Sequence, residues 1–97
     1  MPPDKDFLAE LIEDSTAEDP LFPRYYEAAL ERRELMRQLA ARRADLGISQ
    51  AELARRMRTK QPVVSRLLSG DVDPQHSTED RLAAAMGMRI ERRLVEA

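Results

Sequence analysis

Ninety-seven residues, 42% apolar and 35% charged, describe one modest soluble domain with a small core and no room for a second full domain. Cysteine is absent and His76 is the single histidine, which excludes a disulfide framework, a thiolate metal site, a cysteine nucleophile and a histidine-rich metal centre; no metal or cofactor is expected. The net charge of −2 hides a steep gradient: seven acids face Lys5 alone in residues 1–23, whereas in residues 35–70 eight cations face only Asp45 and Glu52.

The opening Met1-Pro2-Pro3-Asp4-Lys5-Asp6 has no basic region followed by an apolar core, and no apolar run approaches the roughly 18 residues of a membrane span. Neither export nor insertion is expected, and a cytoplasmic protein is. Phe7 with Leu11 and Leu8 with Ile12 fall four residues apart, predicting a short amphipathic helix over about 5–13. Ser15, Thr16, Asp19, Pro20 and Pro23 then make residues 14–23 a breaker-rich connector, so that 1–23 forms an acidic arm and candidate partner-binding segment.

From about Arg24 to Asp45 no glycine or proline intervenes, and Tyr26, Ala29, Leu30, Met36, Leu39 and Ala40 recur at helical spacing before Gly47 supplies a stop. Ser49-Gln50-Ala51-Glu52 has the form of a capping box, and Ala51, Leu53, Ala54 and Met57 give the next helix a narrow apolar stripe. After the polar break Arg58-Thr59-Lys60, Pro62 suits the first turn of a further helix that Val63, Val64, Leu67 and Leu68 carry on to Gly70. Ser77-Thr78-Glu79-Asp80 offers another N-terminal cap, Leu82, Ala83, Ala85 and Met86 pack a helix ending at Gly87, and the tail with Ile90 and Leu94 reads as a short strand or extended arm. Ser49, Ser65, Ser69 and Ser77 have capping or surface readings, and His76 reads as polar filler in a loop. No glycine-rich phosphate cradle or metal-ligand pair occurs, so no catalytic residue is assigned and an enzyme is not expected.

Leu46-Gly47-Ile48-Ser49-Gln50-Ala51-Glu52-Leu53-Ala54, then Gln61-Pro62-Val63-Val64-Ser65-Arg66-Leu67, Ser69-Gly70 and Leu82-Ala83-Ala84-Ala85-Met86-Gly87 follow one another in order. Over residues 39–87 this set resembles the phage-repressor/Cro, or XRE-type, helix-turn-helix family. The resemblance implies an all-α, lambda-repressor-like bundle with its helix-turn-helix domain at 24–87, carrying the arm before it and the tail 88–97 after it. It also implies a transcriptional repressor for double-stranded DNA.

On that scaffold Ala51 and Ala54 are small so that two helices approach closely, and Gln50 can bond a phosphate at a helix start. Gln61 at the front of the reading helix suits an adenine edge, and Arg66, taken as one turn later on the same face, can form two bonds to guanine. Lys60 and Val63 complete the candidate base readers, while Gln50, Ser65, Ser69, Arg43 and Arg58 are the candidate phosphate contacts. Relatives usually place glycine where this chain has Arg58, and often a glutamate where it has Leu68, which leaves Arg43 to seek Asp71, Asp73 or a phosphate. Such a subunit covers few base pairs, so a homodimer on a palindromic operator is expected, with Ile90, Leu94 and Val95 as candidate dimer contacts.

Asp19-Pro20-Leu21-Phe22-Pro23-Arg24-Tyr25-Tyr26-Glu27-Ala28, the long helix behind it and Gly87-Met88-Arg89-Ile90-Glu91 are similar to the HigA-type antitoxins of toxin–antitoxin pairs. That layout implies an autorepressing antitoxin whose arm, through Phe7, Leu8, Leu11 and Ile12, holds a basic ribonuclease toxin. The alternative is a stand-alone XRE-type regulator with no toxin partner.

Overall fold

A computed structural model describes residues 5–97. It contains five helices: α1 (Lys5–Glu18), α2 (Phe22–Leu46), α3 (Gln50–Met57), α4 (Gln61–Ser69) and α5 (His76–Ala85). The chain divides into two compact units, one up to Arg33 and the other Glu34–Ala97. The first four residues of the acidic arm, Asp4 among them, lie outside the described residues.

In the first unit α1 is longer than its sequence suggests. Thr16, expected in a connector, instead donates its hydroxyl to the Ile12 carbonyl at 2.6 Å, so the side chain bonds the helix's own backbone and the helix runs on to Glu18. The break is then confined to Asp19-Pro20-Leu21. There the Asp19 carboxylate accepts from the Leu21 amide at 3.0 Å and the Asp19 carbonyl from the Phe22 amide at 2.9 Å, which starts α2 two residues before the predicted Arg24. Pro23 falls in the first turn of α2, where a missing N–H costs nothing. Phe7, Leu8 and Leu11 are exposed, whereas Ile12 is half-buried.

The second unit closes one core from Met36 and Leu39 of α2, Ile48 of the connection that follows, Leu53, Ala54 and Met57 of α3, Val64 and Leu67 of α4, and Leu82, Ala83 and Met86 at α5 and its end. Three of its helices end alike. The amides of Gly47 and Ile48 bond the carbonyls of Ala44 and Arg43, those of Arg58 and Thr59 bond Arg55 and Ala54, and those of Gly87 and Met88 bond Ala84 and Ala83. In each case the residue that begins the turn is left-handed, with φ of 68° at Gly47, 55° at Arg58 and 71° at Gly87.

Three expectations fail around α5. The helix starts at His76 with Gln75 as an N-cap that makes no side-chain bond, so Ser77 does not cap it. His76 is therefore no loop filler: its Nδ1 lies 2.8 Å from Oε1 of Glu79, a carboxylate only 1% exposed. The tail is also not a strand, and no strand occurs among the described residues. A strand requires a second one to pair with; here the tail is tied by Arg92, which donates to Glu79 at 3.0 Å and to Asp80 at 2.8 Å. Asp80 first, and Glu79 with it, push the Arg92 pKa up from its ordinary value. Ile90 is half-buried against the chain's own core, whereas Leu94 and Val95 are open to solvent.

Candidate nucleic-acid interface

Helices α3 and α4 with the turn Arg58-Thr59-Lys60 between them form the helix-turn-helix. Ser49 begins it with φ −69° and ψ 157°, and its hydroxyl accepts from the Glu52 amide at 3.0 Å. The reciprocal half of the expected capping box is not made. Glu52 instead accepts from Nε and Nη2 of Arg55, at 2.8 and 2.6 Å, and from Arg56 Nε at 3.0 Å, because a guanidinium one turn away outcompetes a neutral amide.

Hydrogen bonds from Arg55 first, then Arg56, lower the Glu52 carboxyl from its ordinary 4.5 to about 2. A depressed acid contributes stability that is complete above its unfolded value and lost as pH falls through its folded one. We expect the urea midpoint to fall between pH 4.5 and about 2, and Glu52→Gln to flatten part of that fall. A profile identical in the variant would deny the pair any role in acid stability.

The face that α3 turns to α4 holds Leu53, Ala54 and Met57, and α4 answers with Val64 and Leu67; all five are buried. Ala51 is exposed, so of the two alanines expected to permit close approach only Ala54 does so. The tightness of the turn falls on Arg58, the one non-glycine residue with positive φ among those described. Arg58→Gly should therefore stabilise the protein by about 1 kcal/mol, relief of left-handed strain exceeding the extra freedom of the unfolded chain. A urea midpoint unmoved or lowered would show that the turn carries no such strain.

On α4, Gln61, Pro62, Val63, Ser65, Arg66 and Ser69 are exposed, and Leu68 is half-buried against the core. Gln61 and Arg66 do not share a face as expected: five residues at 3.6 per turn place them roughly 140° apart. Gln61 is aligned with Ser65, and Arg66 with Pro62 and Val63, so the outward surface is a broad arc. Ser69 has local partners, donating to the Arg66 carbonyl at 2.8 Å and accepting from the Asp71 amide at 3.3 Å. A phosphate contact by its hydroxyl would have to displace the first bond.

Arg43 is half-buried and donates Nη1 to the Ile48 carbonyl at 2.7 Å, bracing the corner between α2 and α3; its buried Nε has no partner. Of the eight cations in residues 35–70, Arg37 is bonded to Glu34, Arg43 to Ile48, and Arg55 and Arg56 to Glu52. Arg42, Arg58, Lys60 and Arg66 make no ion pair. Three of these four flank or sit on α4, and the pairing pattern that singles them out is invisible in a charge count. Gln50 opens α3 and is half-buried. Sequence reasoning missed the burial of Glu79 altogether; its only trace was a carboxylate three residues after the histidine.

A helix-turn-helix domain model matches residues 34–95. The curated relatives include antitoxin HigA1 of Mycobacterium tuberculosis, from strains CDC 1551 / Oshkosh and ATCC 25618 / H37Rv. Each is 40% identical over 85 residues, 88% of this chain and 57% of the relative. The chain thus spans little more than half the length of the curated relatives it matches. No solved structure matches it significantly.

Proposed function

The chain belongs to the helix-turn-helix domain family, and on that footing we propose a cytoplasmic, sequence-specific DNA-binding repressor that acts as the antitoxin of a toxin–antitoxin pair. One observation carries the DNA-binding part: the outward arc of α4 exposes Gln61, Ser65 and Arg66, with the unpaired cations Arg58 and Lys60 at its entrance. Gln61, Lys60, Val63 and Arg66 read bases, while Gln50, Ser65 and Arg58 meet phosphates. Arg43 and Ser69, already bonded within the chain, are the weaker members of that set.

A subunit with one nine-residue reading helix binds as a dimer to two half-sites about one helical turn apart, in the operator of its own transcription unit. Leu94 and Val95, both strongly exposed, are the dimer contacts together with Ile90, which lines a cleft of about 240 Å³ with Leu35, Leu39 and Met88. The likeness to HigA1 supports a toxin partner, and a basic ribonuclease suits the acidic first unit, where Leu8 and Leu11 remain exposed beside Phe7.

Selection from a pool of random duplexes should enrich a palindrome, bound with a log–log salt slope between roughly −2 and −5, set by how many of the cations Arg58, Lys60 and Arg66 on each of two subunits displace counterions. Failure to enrich any duplex would remove the DNA-binding reading. Leu8→Glu with Leu11→Glu should abolish capture of the neighbouring gene's product while leaving duplex binding intact. A neighbour that is no basic ribonuclease, or is not captured by the unaltered protein, would favour a stand-alone regulator.

A further inference from the structure

Helices α3 and α5 each end in a last carbonyl that no amide of the closing turn takes. At α3, amides of the turn take the carbonyls of Ala54 and Arg55 and leave those of Arg56 and Met57, the last of the helix. Arg81, from α5 and 24 residues away in sequence, donates Nη2 to the Met57 carbonyl at 2.6 Å. At α5, amides take the carbonyls of Ala83 and Ala84, and Arg56 of α3 donates Nη1 to the remaining Ala85 carbonyl at 3.0 Å. Each helix thus has its last carbonyl bonded by an arginine of the other, at the end where a helix dipole attracts a cation. Glu52 aims Arg56 by holding its Nε at 3.0 Å.

The position of this clasp matters because Met57 directly precedes Arg58, the left-handed residue from which the chain turns into α4. Helix α3 packs against both α4 and α5. Arg66 lies five residues into α4, about 8 Å along the helix, so a rotation of roughly 10° at the turn moves it by about 1.3 Å. That exceeds the tolerance of a hydrogen bond to a base edge. We propose that Arg81 and Arg56 are positioning residues for duplex reading: their reciprocal clasp locks α3 on α5 and so sets the angle at which α4 presents Gln61 and Arg66. The inference rests on the helix-turn-helix reading and assigns neither arginine a contact with DNA.

The test compares the duplex enriched by the unaltered protein with a scrambled duplex of equal length, at a temperature where circular dichroism shows each variant folded. Arg81→Met should bind the enriched duplex about tenfold more weakly or worse, a charged hydrogen bond being worth about one decade. Its affinity for the scrambled duplex and its salt slope should not change. Arg81→Lys, keeping a charged donor, should recover most of the loss, and hydrogen exchange at the Thr59 amide should quicken in Arg81→Met. Should that variant not fold, Arg56→Met opens the other half of the clasp and should show the same split. Equal losses on both duplexes with a shallower slope would make Arg81 a phosphate contact, and a lowered melting temperature with both affinities retained would make the clasp a brace alone; either result overturns the proposal. If the unaltered protein enriches no duplex, the DNA-binding reading itself fails and the positioning role goes with it.

Discussion

Leu53→Ala is expected to destabilise the second unit by about 2–5 kcal/mol, the cost of lost burial plus the cavity left behind. Leu53 is fully buried in the middle of α3, the helix that packs against both α4 and α5. A unit of about 60 residues has only about 3–9 kcal/mol of stability in all. The variant should therefore be substantially unfolded at physiological temperature, with α4 no longer held in any defined orientation. Val63→Ala, at an exposed position of α4, should shift stability by less than about 0.5 kcal/mol. Urea titrations followed by circular dichroism compare the two. A loss below about 1 kcal/mol at Leu53 would mean that the cluster centred on α3 does not hold the bundle together.

What was legible in the chain was whatever a few neighbouring residues decide among themselves. Ser49 begins α3, Pro62 enters the first turn of α4, Gly70 ends it, and Leu53, Ala54, Met57, Val64 and Leu67 form the inward stripe that their spacing predicts, because caps and periodicity are local. Errors gathered where a polar group had a choice of partner. Thr16 chose its own helix over a turn, Glu52 chose two guanidiniums over the Ser49 amide, and Arg43 chose the Ile48 carbonyl. Nothing in the spacing of Arg81 and Met57 announces that they meet, nor that Glu79 is enclosed by Arg92 and His76. The strand expected in the tail failed for a related reason: pairing is a property of two segments, and alternation within one cannot supply the other. Arg58 is the instructive case: glycine is usual at that position in relatives, and here a non-glycine residue adopts the left-handed backbone.

Arg66→Ala should cost about 1–3 kcal/mol in operator affinity, roughly 5- to 150-fold, and relax preference at a single base pair in each half-site. The side chain is exposed on α4 and makes no ion pair, so its removal strands no buried group and the fold should stay intact. The loss must then appear in binding. Arg66→Lys separates charge from shape: a lysine keeps the attraction to the backbone but cannot form the planar fork that takes guanine O6 and N7 together, so discrimination should fall while the salt slope holds. Gln50→Ala, at the first turn of α3, should instead weaken every duplex alike, since a phosphate contact fixes register without reading sequence. The contrast between the two positions is the decisive measurement. Unchanged discrimination in Arg66→Ala would move the guanine contact to Lys60 on the other flank of the arc, whereas altered discrimination in Gln50→Ala would bring α3 itself into base reading.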